Sequence, residues 1–467
     1  MYLNRYQYSI IVFLSIPILL NGAISQEYSN KLSKEERNQI ITKAGDLLIN
    51  NYVSADLGVK CAEYLKKQLQ TGVYDRITHP REFVKKLNSD LIKIHEDKHV
   101  RVQYISSDQE KLQQQNPIVA KMLDISEKAL DNYGLREVKV IDGNVGYVDI
   151  RSFEPVELAG SKVSSVMDIL KDSDALIIDL RENRGGNPAM VQYICSYFFD
   201  QPILLNSFYW RRGDYVEEFW TLSNISGKKR PKVPIFILTS GSTFSAGEEF
   251  AYDLQALKRA TIIGETTAGG ANPGITFRIN QRFSIFLPTG RAINPITGTN
   301  WEGFGVEPDI RIEAEGAVAV AIDKARQAAN IFRANKNEAK VDYFIELSEK
   351  LNDAEKMFTN GNIDSADSLV LKEIIKGLDL DFINEYGINM LAYNYLYKDK
   401  INVSFILLKI NINQFPKSFN AYDSLAEAYL KIGDTENAIK NCRISLQLNP
   451  QNQNAKMNLG KLGIKLP

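Results

Sequence analysis

The chain has 467 residues, 44% of them hydrophobic and 24% charged, with a formal net charge of -1. That length accommodates two or three domains with separate cores, and the charge balance argues against nucleic-acid binding through a bulk basic field. Three widely spaced cysteines, Cys61, Cys195 and Cys442, supply neither a disulfide framework nor a metal-binding CxxC pair. Of the three histidines, His95 and His99 are four apart and can share a helix face, but no third ligand follows from the spacing, so no metal and no cofactor is expected.

Arg5 precedes an apolar run from Ile10 to Leu20, followed by small residues up to Ser25. This is the layout of a cleaved secretory signal over residues 1–25, which makes the mature protein exported, periplasmic or extracellular. The run is shorter than the roughly 20 residues a membrane-spanning helix needs, so no stable membrane anchor is expected after cleavage. Residues 26–104 read as a helical N-terminal domain. Ser33-Lys-Glu-Glu36 resembles a capping box ahead of a helix with Ile40, Ile41, Ala44, Leu47 and Leu48 on one face. Further helices are expected at Asp56–Gln70 and Pro80–Ile94. Val100, Val102 and Tyr104 then alternate like a strand, which leaves His99 at an element boundary. A histidine there is ordinarily a surface or capping residue.

Residues 105–137 read as a polar connector. From Val138 the pattern changes to strands alternating with helices: Val138–Ile150 around the Asp142-Gly143-Asn144 turn, a helix at Ala159–Leu170, an apolar strand at Ala175–Leu180, a helix at Met190–Phe199. Such alternation predicts an α/β core with largely parallel pairing over residues 138–335. The turn holding Gly185 and Gly186 is either a plain tight turn or a place where backbone N–H groups approach a substrate oxygen. Pro234–Thr239 is a short buried strand, Ser240–Thr243 a loop, and helical spacing begins at Ala246. Ser245 thus sits at a strand-to-helix junction. It is either an N-cap or a nucleophile whose oxyanion the unpartnered N–H groups of the first turn stabilise. A hairpin at Thr276–Leu287, a turn-rich loop at Pro295–Asp309 and a helix at Ala317–Phe332 complete the core. Glu302 in that loop is by default a solvated carboxylate.

Everything beyond is helical: a linker region at 336–384, then a repeat. Pro416 and Pro450 close two stretches in which Leu391, Ala392 and Tyr395 match Leu425, Ala426 and Tyr429. The period of about 34 residues is the tetratricopeptide length. It gives two units at about 385–418 and 419–452 and a capping helix at Asn454–Leu466. The repeats either recruit a protein partner or substrate peptide, or simply pack on their neighbours.

Four stretches, Asp179–Gly186, Thr239–Glu249, Gly264–Gly270 and Glu302–Asp309, together with Asp97-Lys-His-Val-Arg-Val102, resemble the tail-specific (C-terminal-processing) serine peptidase family. That family also contains the tricorn core protease and interphotoreceptor retinoid-binding protein. The resemblance covers about residues 30–330 and implies a crotonase-like α/β peptidase core with Ser245 as nucleophile. One branch of the family uses a lysine downstream of the serine as base; here the corresponding position is Gly270, and Lys258 lies in the proposed helix. The tricorn-like branch uses a histidine and a glutamate, which makes His99 the base and Glu302 the orienting acid. Lys98 stands where that pattern has a serine. The oxyanion donors implied are the N–H groups of Gly185, Gly186 and Ala246. The stretch between Tyr104 and Val138 is too short for the PDZ domain that tail-specific members carry. The reading is thus an exported serine peptidase acting on a peptide or protein substrate. The rival reading is a non-catalytic protein binding an apolar ligand or peptide on the same fold.

Overall fold

The computed structural model describes residues 31–94, 97–105 and 116–464. The expected signal segment 1–25 and His95 lie outside the described residues, as does the end of the expected capping helix. Two compact units divide the chain, Met1–Ala329 and Asn330–Pro467.

In the first unit, helices α1 (Lys34–Asn51), α2 (Ala55–Gln70) and α3 (Pro80–Ile92) form where expected. Ser33 caps α1 by accepting the Glu36 N–H. Pro80 opens α3, where its missing N–H costs nothing. Ile40, Leu48, Leu65, Phe83 and Leu87 are buried from these helices, but they do not close a core among themselves. Their partners are Phe283, Ile285 and Leu287, on a strand far along the chain. Strand β1 (Arg101–Tyr104) pairs antiparallel with β10 (Phe283–Pro288), which pairs with β9 (Gly274–Arg278). Helices α1 to α3 are therefore stitched into the same unit as the α/β core through one sheet. Residues between the two hold helix α4 (Pro117–Leu130), none of which is buried.

In the core sheet, strands β3 (Val145–Ile150), β4 (Ala175–Asp179), β7 (Ile235–Thr239), β8 (Thr261–Gly264) and β12 (Ile310–Arg311) run parallel; β2 (Leu135–Ile141) is antiparallel to β3. Their order across the sheet is β12-β8-β7-β4-β3-β2. Both β4 and β7 are buried at every residue, which is why they read as continuous apolar runs rather than alternating ones. One face is covered by α5 (Val156–Ile169), α6 (Pro188–Cys195) and α7 (Ala246–Ala256). The other is covered by the start of α8 (Ala314–Thr359), where Ala317, Ala321, Ala325 and Ala329 are fully buried at four-residue spacing. Alanine there lets the helix backbone lie close to the sheet.

Three elements differ from the expectation. A hairpin of β5 (Leu204–Trp210) and β6 (Tyr215–Trp220) joins the core and pairs with β11 (Gly290–Ile293). Helix α7 ends at Ala256, so Lys258 lies beyond it, with a left-handed φ of 53°. Helix α8 does not stop near Phe332 but continues to Thr359, 46 residues in all, because nothing in the sequence between Arg333 and Thr359 breaks it.

The second unit is all helical: the end of α8, α9 (Ile363–Asp379), and the pairs α10 (Glu385–Tyr397) with α11 (Ile401–Gln414) and α12 (Phe419–Lys431) with α13 (Thr435–Leu448), closed by α14 (Gln453–Lys461). The repeat spacing places Ala392 and Ala426 at equivalent, fully buried points of α10 and α12. Among the described residues no helix is long and apolar enough to cross a membrane.

Candidate active site

Ser245 begins α7 with φ 55° and ψ -122°, a left-handed backbone that a non-glycine residue rarely adopts. Glu248, three residues on and fully buried, helps to hold it there by accepting the Ser245 N–H through Oε2 (2.8 Å). The same carboxylate accepts the N–H groups of Gly269 (2.5 Å) and Gly270 (2.8 Å) and the Thr267 hydroxyl (2.5 Å). Glu248 thus ties the serine turn to the 264–270 glycine stretch. Burial raises its carboxyl above the ordinary value, and these four donors oppose that shift. Sequence reasoning passed over this residue, although Ser-x-x-Glu at a helix start is a legible signal.

The hydroxyl of Ser245 meets His99. Nε2 lies 3.1 Å from Oγ, across 146 positions of sequence. The imidazole is packed against the Phe244 ring at 4.5 Å and near Phe286 at 6.0 Å. Gly270 makes room for both: a Cβ at that position would lie 2.2 Å from Phe244 and 2.8 Å from His99 Cε1. The space that a side chain at position 270 would enter is therefore filled by the Phe244 and His99 rings.

On the far side of the imidazole stand two carboxylates rather than one. Asp97 is 3% exposed, and its Oδ1 lies 3.7 Å from His99 Nδ1. It accepts the His99 backbone N–H (3.0 Å), the Tyr52 hydroxyl (3.0 Å) and the Asn272 side-chain N–H (3.2 Å). Burial alone would raise the Asp97 carboxyl, but His99 and Asn272 hold it below the ordinary value. Glu302 accepts the N–H groups of Ala271 (2.7 Å) and Asn272 (3.1 Å) through Oε2. Its Oε1 is buried without a hydrogen-bond partner among the described residues, as is His99 Nδ1. Burial first, and then the Asp97 charge, push Glu302 up to about 8. Asp97, His99 and Glu302 each offer an atom within 4.8 Å of the others. Such a cluster has metal-ligand spacing, but an imidazole braced between an ionised and a protonated carboxyl accounts for the same atoms. Lys98, in the position expected for a relay serine, donates instead to the Ala268 carbonyl (2.5 Å).

The glycine turn sits directly against the serine. Gly185 and Gly186 have φ of 96° and 141°, and a Cβ on Gly185 would fall 2.7 Å from Ser245 Cβ. Buried Asn183 anchors the turn, donating to the Ile150 carbonyl and accepting the Gly185 N–H at 2.8 Å. That bond corrects one expectation: the Gly185 N–H is already taken and is not free to meet an oxyanion. The bridge between Phe153 and Gly186 uses the Gly185 carbonyl and the Asn187 N–H, so it leaves the Gly186 N–H out. Ala246, first residue of α7, has no intrahelical acceptor for its N–H.

Residues 144–312 match Peptidase family S41, and residues 32–134 match the N-terminal domain of Peptidase_S41 in eukaryotic IRBP. A carboxy-terminal-processing protease of Bartonella bacilliformis is 27% identical over 203 residues, 42% of this chain and 45% of the relative. The carboxy-terminal processing protease CtpB of Bacillus subtilis is 27% identical over 193 residues, 40% of this chain and 38% of that one. The chain thus spans less than half the length of these curated relatives. A solved photosystem II D1 C-terminal processing protease is 13% identical, with a TM-score of 0.40 over 60% of this chain and 94% of that chain.

Proposed function

The chain belongs to peptidase family S41, and from that premise we propose that it is an exported serine peptidase working through an acyl-enzyme on Ser245. The observation that carries this is the 3.1 Å contact between His99 Nε2 and a serine hydroxyl raised on a strained helix start. In this reading neutral His99 takes the Ser245 proton as Oγ attacks the peptide carbonyl, then returns it to the leaving amine. Water, deprotonated by the same nitrogen, releases the acyl group and restores the serine. The N–H groups of Gly186 and Ala246 face the developing oxyanion, each worth about 3–4 kcal/mol in sites of this kind.

The orienting role falls mainly to Asp97. An ionised carboxylate beside Nδ1 favours the tautomer with its proton on Nδ1, which leaves Nε2 free to accept from serine. A protonated Glu302 carries no charge to favour that tautomer as strongly; it also holds the 271–272 backbone behind the ring. The substrate is a peptide or protein. The paired helices beyond residue 385 fit a tetratricopeptide-like module that engages a protein partner.

The test is fluorophosphonate labelling of the protein beside Ser245→Ala and His99→Ala. Labelling confined to the parent, with both variants folded, supports the reading. A folded parent that takes no label points instead to a binding protein on this fold.

A further inference from the structure

One face of the β1-β10-β9 sheet belongs to the N-terminal core, where Phe283, Ile285 and Leu287 are fully buried. Alternation puts the residues between them on the opposite face. Pairing sets Arg101, Phe286 and Thr276 in one row, and Gln103, Ser284 and Arg278 in the next. Over these rows opens a cleft of about 930 Å³, bounded on its far side by α3 through Arg81.

Among the described residues, Arg81, Arg101 and Arg278 line the cleft and no acidic residue does. None of the three guanidiniums forms an ion pair among the described residues, although the unit around them is rich in paired charges. Three like charges converging on one concavity repel one another, and an anionic ligand relieves that repulsion while gaining bidentate hydrogen bonds. Arg101, which lines one end of the cleft, is two residues from His99 in the chain. Its strand partner Phe286, which does not itself line the cleft, lies 6.0 Å from the His99 ring. The second row is about 7 Å further on, at roughly 3.3 Å per strand residue.

We propose that this cleft is a specificity subsite for an acidic segment of the substrate polypeptide, selecting Asp or Glu roughly three to five residues from the scissile bond. The proposal rests on the reading of Ser245 as nucleophile for its register, but the cleft's preference for an acidic peptide does not depend on turnover. A polypeptide is the fitting occupant because the cleft runs along β1, whose first residue, Arg101, is two residues from His99, so an extended chain can follow the strand toward the site.

The experiment uses two fluorogenic peptides that differ only in an Asp/Glu segment at that distance. It compares the protein with Arg101→Ala, Arg278→Ala and the double variant at low and high ionic strength. The ratio of kcat/KM for the acidic over the neutral peptide should be about tenfold in the parent, fall toward unity in the double variant, and shrink with salt. A ratio is insensitive to partial loss of folded protein. Equal kcat/KM for the two peptides in the parent, or a preference that survives in the double variant, overturns the proposal. If neither peptide is cleaved, anisotropy of the labelled acidic peptide with the Ser245→Ala protein separates the two failures. Saturable, salt-sensitive binding that the arginine substitutions abolish upholds the cleft while the peptidase reading falls. No binding overturns the cleft as well.

Discussion

Replacing Asp97 by Asn and Glu302 by Gln separates the two carboxylates that flank His99. Both substitutions preserve shape, and both leave an oxygen able to accept the backbone N–H groups now bound. They differ in charge. Asp97 is held ionised, whereas Glu302, pushed up to about 8, carries a proton at neutral pH, so glutamine there resembles what already exists. When His99 takes the serine proton, the new positive charge lies 3.7 Å from Asp97 Oδ1. At an effective dielectric of about 20, that attraction is worth roughly 4–5 kcal/mol, or about a thousandfold in rate at 1.36 kcal/mol per decade. Asp97→Asn should therefore lower kcat/KM on any cleaved peptide by about 10³ at pH 7, and slow fluorophosphonate labelling similarly. Glu302→Gln should cost less than about tenfold under the same conditions. Thermal melts of both variants check that the fold survives. If Glu302→Gln proves the crippling change and Asp97→Asn the mild one, the assignment of roles is reversed and the reasoning from protonation is wrong.

Gly270→Ala places a methyl 2.8 Å from His99 Cε1 and 2.2 Å from Phe244; it should reduce labelling of Ser245 by more than about a hundredfold, with melting temperature as the control. Gly185→Ala, at φ 96° and 2.7 Å from Ser245 Cβ, should both lower the melting point and abolish labelling. Buried Glu249 is pushed up from 4.5 to about 8. The folded state keeps a proton that the unfolded chain loses, so stability is fullest below about pH 4.5 on this account and falls as pH rises toward 8. Melts across that range should show the decline, and Glu249→Gln should flatten it; an unchanged slope would count against the assignment. Ala321→Leu should cost about 1–3 kcal/mol in denaturant unfolding, because α8 has no room for it against the sheet.

What the sequence made legible was local. The glycine turns, the serine at its strand-to-helix junction and the helices of residues 34–92 follow from spacing and capping, and each forms where the pattern puts it. The parallel strands were legible as apolar runs because burial on both faces removes alternation. Less visible was anything set by pairing across the chain. The 204–220 hairpin turns at Gly213-Asp214 but its strands show no clean alternation, its partner β11 begins only at Gly290, and no local signal demands the pairing. The role of Asp97 was hidden for another reason. Asp97-Lys-His reads as one motif, and only the fold shows that the aspartate accepts the histidine's own backbone N–H and also sits beside its ring. Glu302 drew attention through its motif, but burial beside a second carboxylate changes its charge state, and burial is not written in a loop sequence.

The histidine's position depends on a strand of only 4 residues. Strand β1 has β10 on one side, and on the other the Asn88 side chain takes the place of a neighbouring strand, donating to the Val102 carbonyl (2.9 Å) and accepting its N–H (2.7 Å). Asn88→Ala removes both bonds from buried Val102 without touching the catalytic groups. The unpaired Val102 groups then cost about 1–3 kcal/mol each unless water reaches them. That penalty is small against the cohesion of the whole unit but large for a short segment, so it should appear as local opening of residues 97–104. The expected result is a melting temperature lowered by only a few degrees, faster amide exchange confined to β1, and labelling of Ser245 reduced well beyond what the melt predicts. Exchange that accelerates evenly over α1 to α3 as well would mean that the segment opens only with the whole N-terminal core, and that the site has no separate hinge there.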